Sequence, residues 1–109
     1  MRVLIITGLG GSKQWKRTMR YYYESRGYQV DEVPYERFNS YEYRGYDIYA
    51  GHSMGALVVQ SDPFIQSDKI ETWGSPVHLR GTKINNFMEG HEGTIFDYKE
   101  WLKFVGQFT

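Results

Sequence analysis

The feature that most constrains the fold is a short apolar run at residues 46–50, followed at once by Gly-His-Ser-Met-Gly at positions 51–55. This pentapeptide fits the pattern Gly-x-Ser-x-Gly, in which a strand turns sharply into a helix and exposes the central serine. Glycine suits both ends because a side chain there would collide with the crowded turn. Small and apolar residues follow at 55–59, as expected where a helix begins. The pattern therefore predicts a strand, a tight turn at Ser53 and a helix.

Strand-like and helix-like segments alternate along the rest of the chain. The first apolar run is continuous and ends at glycine, which is typical of a strand buried on both faces. Residues 35–45 carry aromatic rings among charges and predict an irregular segment or a short helix. We expect strands at residues 2–7, 28–33, 46–50, 69–73 and, more weakly, 82–88, and helices at 13–26, at 54–60 and from Asp97 onward. This order predicts an α/β fold, a three-layer sandwich with a mainly parallel sheet of about five strands.

Size and composition narrow the classes of protein. A chain of 109 residues predicts one domain, spanning 1–109. With 13 basic and 13 acidic residues, the charge does not indicate a nucleic-acid partner, and the basic residues of helix 13–26 are explained by a solvated face. The absence of cysteine excludes disulfides and thiolate metal sites. No apolar stretch is long enough to span a membrane, and the first run stops at Thr7 without a cleavage site, so we expect a cytoplasmic protein.

In a parallel sheet, functional groups collect at the carboxyl ends of the strands. Three segments of this chain are expected there: the glycine-rich loop 8–12, the turn at 51–55 and the loop 90–96. A site formed by these segments would contain Ser53 together with backbone N–H groups.

With these features the chain resembles the α/β-hydrolase family, in a form smaller than usual and without a lid. The pentapeptide at 51–55 is similar to the lipase and esterase nucleophile elbow, and Thr-Gly-Leu-Gly-Gly at 7–11 resembles the family's oxyanion-hole loop. Gly-Ser-Pro at 74–76 is also lipase-like. His91, just before the last predicted helix, lies where the family keeps its catalytic histidine, and serine precedes histidine as in that family.

The resemblance implies a serine esterase that cleaves carboxylic esters. Without a lid the serine would be open to solvent, which favours short acyl esters or a bulky substrate reached from outside. Ser53 would be the nucleophile and His91 the general base, because a serine hydroxyl needs a base and neutral imidazole suits that role near pH 7. The N–H groups of Leu9 and Met54 would form the oxyanion hole.

Other residues are assigned to substrate binding or to packing. Gly10 and Gly11 would let the backbone approach the substrate, and His78 would line the site. His52 points away from its neighbour in such a turn, so we expect it to pack or to form a hydrogen bond. The three histidines lack a clustered spacing, so no metal is expected, and the resemblance implies no cofactor.

The catalytic acid does not follow the family's pattern. Residues 75–81 contain no carboxylate, although the family places its acid between serine and histidine. Glu89 is the best remaining candidate, and Asp68, Glu71 and Glu92 are also present. Glu89 is only two residues from His91. A Ser-His dyad without an acid therefore stays open, and losing the acid of a triad slows catalysis by about four orders of magnitude in a well-studied case.

Two functions from other classes stay open. One is a binding protein on a hydrolase scaffold that keeps Ser53 without turnover. The other is a dinucleotide-binding protein, because Gly-Leu-Gly at 8–10 follows a strand and Asp31 or Glu32 lies roughly 20 residues further on. Lys13 stands where that fingerprint needs a third glycine. The exposed strand edges are also compatible with a homodimer.

Overall fold

In a computed structural model of the chain, the structure describes residues 1–8, 13–75 and 85–87, with the backbone alone at 13–15 and 85–87. The elements, in chain order, are β1 (Arg2–Thr7), α1 (Lys13–Glu24), β2 (Gln29–Pro34), β3 (Ile48–His52), α2 (Met54–Ser61), β4 (Ile70–Trp73) and β5 (Asn85–Phe87). A 3₁₀ turn, Ser67–Lys69, precedes β4.

The strands form a parallel sheet in the order β2-β1-β3-β4, and the three-residue β5 pairs with β4 on the far side. Ile6 of β1 faces Val33 on one side and Gly51 on the other, while His52 faces Trp73. The prediction of an α/β fold with a parallel sheet is confirmed. The number of strands in the whole sheet stays a prediction, since only 85–87 of the fifth segment are described.

Both faces of the sheet are covered. Along β1, Val3 and Ile5 pack toward α1, and Leu4 and Ile6 pack toward the opposite face. This follows from the two-residue period of a strand, which sends successive side chains to opposite faces. All four are fully buried, so β1 is an interior strand that contacts both outer layers.

The α1 face contains a polar network among buried rings. Trp73 Nε1–H donates to the Tyr23 hydroxyl oxygen at 3.1 Å, and the Tyr23 O–H donates to Glu71 Oε1 at 2.5 Å. Burial, reinforced by the Glu71 carboxylate, raises the pKa of Tyr23 well above its ordinary value. The phenol therefore stays protonated and connects α1 to β4.

The opposite face is covered by α2 and by the connection from β2 to β3. This connection consists of turns and bends, so the irregular alternative of the prediction for 35–45 is the observed one. Phe38 and Tyr46 are buried in it, and they pack with Tyr49, Val59 and Ile70. Aromatic side chains from this irregular segment thus cover part of the sheet on this side, as a helix would.

Several sequence predictions concern helices. Helix α1 ends at Glu24, two residues before the predicted end, and the chain leaves it through Gly27 at φ +87°. The last predicted helix, from Asp97, lies outside the described residues. In the described part of the chain, no helix has the length and apolar character needed to cross a membrane.

The basic face of α1 is partly neutralised. Arg20 Nη1 contacts Glu24 Oε1 at 2.7 Å, and Arg20 Nε contacts Glu32 Oε1 at 3.1 Å. Both hydrogen bonds raise the pKa of the guanidinium. This agrees with a solvated helix face held by local ion pairs.

Candidate functional site

The strand order brings two of the predicted loops together. The chain leaves β1 for β2 on one side, while β3 lies on the other side of β1. Connections that diverge from two adjacent parallel strands leave a crevice at their carboxyl ends, and ligands of open α/β sheets bind in such crevices. The residues that follow β1 and β3 are Gly8 and Ser53.

Ser53 has an unusual backbone conformation. Its φ is +55° and its ψ is −115°, and it is the only non-glycine residue with positive φ in the described part of the chain. A side chain in such a region costs about 1–3 kcal/mol, and it persists only where the surroundings enforce it. This agrees with the strained strand-to-helix turn expected from the sequence pattern.

The hydroxyl of Ser53 does not cap the helix that it precedes. Serine at this position ordinarily accepts a hydrogen bond from an N–H of the first turn. Here no side-chain cap bond forms, although the Ser53 carbonyl accepts from Ala56 N at 3.0 Å and the Ser53 N–H donates to Trp73 O at 3.1 Å. The half-buried hydroxyl is therefore free for another use.

The two glycines of the turn allow α2 to lie directly on the sheet. A Cβ on Gly51 would be 2.5 Å from the Gly55 carbonyl oxygen, and a Cβ on Gly55 would be 2.1 Å from the Ile6 carbonyl oxygen. Real Cβ atoms do not approach backbone atoms so closely. The steric role predicted for both glycines is confirmed.

Gly8 lies against the turn. A Cβ on Gly8 would be 2.6 Å from the His52 carbonyl oxygen, 2.9 Å from Ser53 Cβ and 3.2 Å from Met54 N. The first residue after β1 is therefore in contact with the residues that surround the serine. The sequence predicted that this loop and the turn lie at the same edge of the sheet. It could not predict that Gly8 touches the turn.

The Met54 N–H is an available donor beside Ser53. It belongs to the first turn of α2, where backbone N–H groups have no partner inside the helix. Among the residues that the structure describes, none accepts a hydrogen bond from it. The positive end of the helix dipole adds to its attraction for an anion.

An open groove of about 670 Å³ starts beside the serine, at Met54. One wall is α2, where Leu57 and Val58 line it, and the other is the segment 38–41. Sequence reasoning missed this groove. The only signal was the spacing 54, 57, 58 and 61 along one side of the helix, which also fits ordinary packing.

His52 is half-buried at the end of β3. Strand alternation places it on the same face as Ala50, toward α1. Burial lowers its pKa from 6.5 to about 4, so the imidazole is neutral near pH 7. This supports the packing role expected for His52.

The burial of His52 predicts a specific loss of stability in acid. The unfolded chain takes up this proton near pH 6.5, while the folded chain resists it until about pH 4. Stability should therefore fall as the pH falls through this window. Relative to His52→Gln, we expect the wild type to lose about 2 kcal/mol between pH 7 and pH 4, discounted for partial exposure. Urea unfolding of both proteins at several pH values measures this, and parallel pH profiles would contradict it.

Ser75, the serine of the lipase-like Gly-Ser-Pro, has a structural role. Gly74, the first residue after β4, has φ +60°. Ser75 is then buried, and its Oγ accepts a hydrogen bond from Gln60 Nε2 at 3.1 Å. Gln60 also donates to the Ala56 carbonyl at 3.0 Å. Ser75 thus holds the end of β4 to α2.

Asp31 and Glu32, the acidic residues of the dinucleotide-binding alternative, form hydrogen bonds and ion pairs within the protein. Asp31 accepts hydrogen bonds from Tyr46 Oη at 2.7 Å and from Arg2 Nη2 at 3.3 Å, and these lower its pKa. Glu32 pairs with Arg20. In the register, Asp31 lies beside Leu4, well before the glycine loop. The described contacts therefore give that alternative no support.

The other predicted site residues are Leu9, Gly10, Gly11, His78, Glu89 and His91, and they lie outside the described residues. Their roles stay predictions. No group of three His, Cys, Asp or Glu side chains in the described ranges is placed to hold a metal ion. Comparisons with protein-family models, curated proteins and solved structures gave no match.

Proposed function

We propose that this chain is a serine hydrolase that cleaves carboxylic esters through an acyl-enzyme on Ser53. The observation that carries the proposal is the backbone of Ser53, which has positive φ and a hydroxyl that does not cap the following helix. A serine kept only for helix capping would adopt extended backbone and use its hydroxyl. Strain at one residue, beside a crevice, is typical of a functional position.

The reaction has two steps. In the first, Ser53 Oγ bonds to the ester carbonyl carbon, His91 takes the hydroxyl proton and passes it to the leaving alcohol, and the carbon–oxygen bond breaks. In the second, water attacks the acyl-enzyme with its proton taken by His91, and the carboxylic acid leaves as Ser53 is restored. Glu89 is the proposed acid that orients His91, and a Ser-His dyad is the alternative.

The oxyanion formed in each step needs hydrogen-bond donors. The Met54 N–H lies beside Ser53 and has no acceptor among the described residues. Leu9 N–H is the second proposed donor, and Gly8 brings its segment against the turn. Losing one such donor typically costs about 3 kcal/mol in the activation barrier.

The proposed architecture is a minimal α/β-hydrolase core of about five strands without a lid. The groove that begins at Met54 would take the apolar arm of the ester, because it is open along α2 and lined by aliphatic and aromatic side chains. Gly10, Gly11 and His78 are proposed to complete the substrate site.

Labelling with a fluorophosphonate probe tests the proposal, since this probe reacts only with an activated serine. We expect wild type and Ser25→Ala to be labelled and to hydrolyse p-nitrophenyl acetate. Ser53→Ala and His91→Ala should show neither activity. Ser25 is a matched control because it is an exposed serine that does not line the groove.

The alternative is a binding protein on the same scaffold. A folded wild-type protein that stays unlabelled would contradict the hydrolase proposal and favour this alternative. Labelling that persists in Ser53→Ala would also contradict it, because another residue would then be the nucleophile.

A further inference from the structure

A second cavity, of about 440 Å³, lies at the opposite edge of the sheet from Ser53. Its lining includes residues 44–46, just before β3, and Lys69, just before β4. Because the strands are parallel, these amino ends share one edge, and the crevice at Ser53 lies at the other. We call this cavity the amino-edge pocket. The pocket shares Tyr41 and Phe64 with the groove along α2, but its floor and its two cations lie outside that groove.

The floor of the amino-edge pocket is apolar. Tyr46, Tyr49 and Ile65 form it, and each is at most 6% exposed. Both phenol groups are already used inside the protein: Tyr46 donates to Asp31, and Tyr49 donates to the Tyr43 carbonyl at 2.9 Å. The two tyrosines therefore offer ring surface to a ligand, which suits an aromatic or otherwise flat apolar body.

The rim carries two exposed aromatic rings. Tyr41 is 78% exposed and Phe64 is 86% exposed. Large exposed apolar side chains that line one pocket can mark a binding site, because covering them is favourable. Both rings would therefore gain from contact with a ligand in this pocket.

The charged side chains that line the pocket are all basic. Arg44 and Lys69 line the pocket, and no carboxylate does. In the described part of the chain, neither cation forms an ion pair, while the Arg44 guanidinium lies 5.1 Å from the Tyr41 ring. Two cations and no carboxylate in the lining therefore favour an anionic ligand over a cationic one.

We propose that the amino-edge pocket binds a small organic anion with an aromatic body, such as an aryl phosphate or an aryl carboxylate. The rings of the floor and rim take the aromatic body, and Arg44 and Lys69 take the anionic group. A volume of about 440 Å³ is within the range of small-molecule sites. Guanidinium and ammonium groups both bind phosphate and carboxylate.

Isothermal titration calorimetry with three probes at low salt tests this pocket: 1-naphthyl phosphate, 1-naphthoate and neutral 1-naphthol. We expect saturable binding of the anions and at least about tenfold weaker binding of 1-naphthol. The stronger of the two anions identifies which anionic group the pocket prefers. Equal affinity for the neutral probe, or no saturable binding, would overturn the proposal.

Site-directed variants test whether the probes bind in the amino-edge pocket. Arg44→Gln/Lys69→Gln should weaken anion binding at least about tenfold, and the charge-matched control Lys16→Gln/Arg17→Gln on α1 should change it less than about twofold. Tyr41→Ala should weaken all three probes. Ser53→Ala should bind as the wild type does, so failure here is separable from failure of the hydrolase proposal. Equal losses in the two double variants, or loss in Ser53→Ala, would overturn the assignment to this pocket.

Discussion

Ser53→Gly is expected to give a protein that is more stable than the wild type and inactive. At φ +55° and ψ −115° a Cβ is strained, and glycine removes that strain. The gain is offset in part because glycine gives the unfolded chain more freedom. We expect a net increase of about 1 kcal/mol in the free energy of unfolding, measured by urea denaturation.

Ser53→Ala is the matched control for this effect. Alanine keeps the Cβ and therefore the strain, and no cap bond is lost because the serine hydroxyl makes none. Its stability should lie within about 0.5 kcal/mol of wild type, whereas losing an ordinary serine cap costs about 1 kcal/mol. Both variants should lose at least about 10⁴-fold in p-nitrophenyl acetate turnover. If glycine proves less stable than alanine here, the strain is absent.

This combination of effects separates a functional serine from a structural one. Glycine would relieve Ser53 of its strain, so a gain in stability would show that the wild-type residue is kept at a cost in stability. Strained residues cluster at active sites and ligand-binding positions, where the strain is part of the mechanism. The sign of the stability change in Ser53→Gly therefore bears on function without any substrate being known.

Much of the fold could be predicted because the relevant signals are local. Strand β1 has the predicted bounds, since burial on both faces leaves a continuous apolar run with clear ends. Helix α2 begins at the predicted Met54 because the glycine and serine pattern before it fixes the turn. Gly27, predicted to stop α1, has positive φ three residues beyond the end of the helix at Glu24.

Other boundaries depend on pairing between distant segments. Strand β3 runs over Ile48–His52 and not over 46–50, because Gly51 pairs with Ile6 and His52 with Trp73. Tyr46 is buried without belonging to the strand, so its apolar ring misplaced the start. Hydrophobic pattern reports burial, and burial alone does not distinguish a strand from a packed loop.

The candidate site was predictable in its parts and not in its assembly. Ser53 and the glycine loop each have a recognisable pattern, but their contact through Gly8 depends on β1 and β3 being neighbours. No local pattern encodes strand order. The unused hydroxyl of Ser53 and the groove along α2 likewise depend on backbone angles and on the path of residues 38–41.

Gly55→Ala is expected to be the most damaging small substitution in the described part of the chain. In an exposed helix this change stabilises by roughly 1 kcal/mol. Here the new Cβ would lie 2.1 Å from the Ile6 carbonyl oxygen, 2.8 Å from its carbonyl carbon and 3.0 Å from its Cγ2. Ile6 belongs to an interior strand, paired on both sides, so its backbone has little room to move.

We expect Gly55→Ala to lower the free energy of unfolding by about 3 kcal/mol, measured by urea denaturation. Gly27→Ala is the control, because a Cβ there meets nothing within 4 Å and costs only the strain of its positive φ, about 1 kcal/mol. Relief of the collision requires α2 to lift from β1, which moves the Met54 N–H and the Ser53 hydroxyl relative to Gly8. Labelling of Ser53 should therefore fall even at temperatures where Gly55→Ala is still folded. If Gly55→Ala matches the wild type in stability and labelling, then α2 does not lie on β1 at this distance, and the geometry that positions Ser53 in the crevice is wrong.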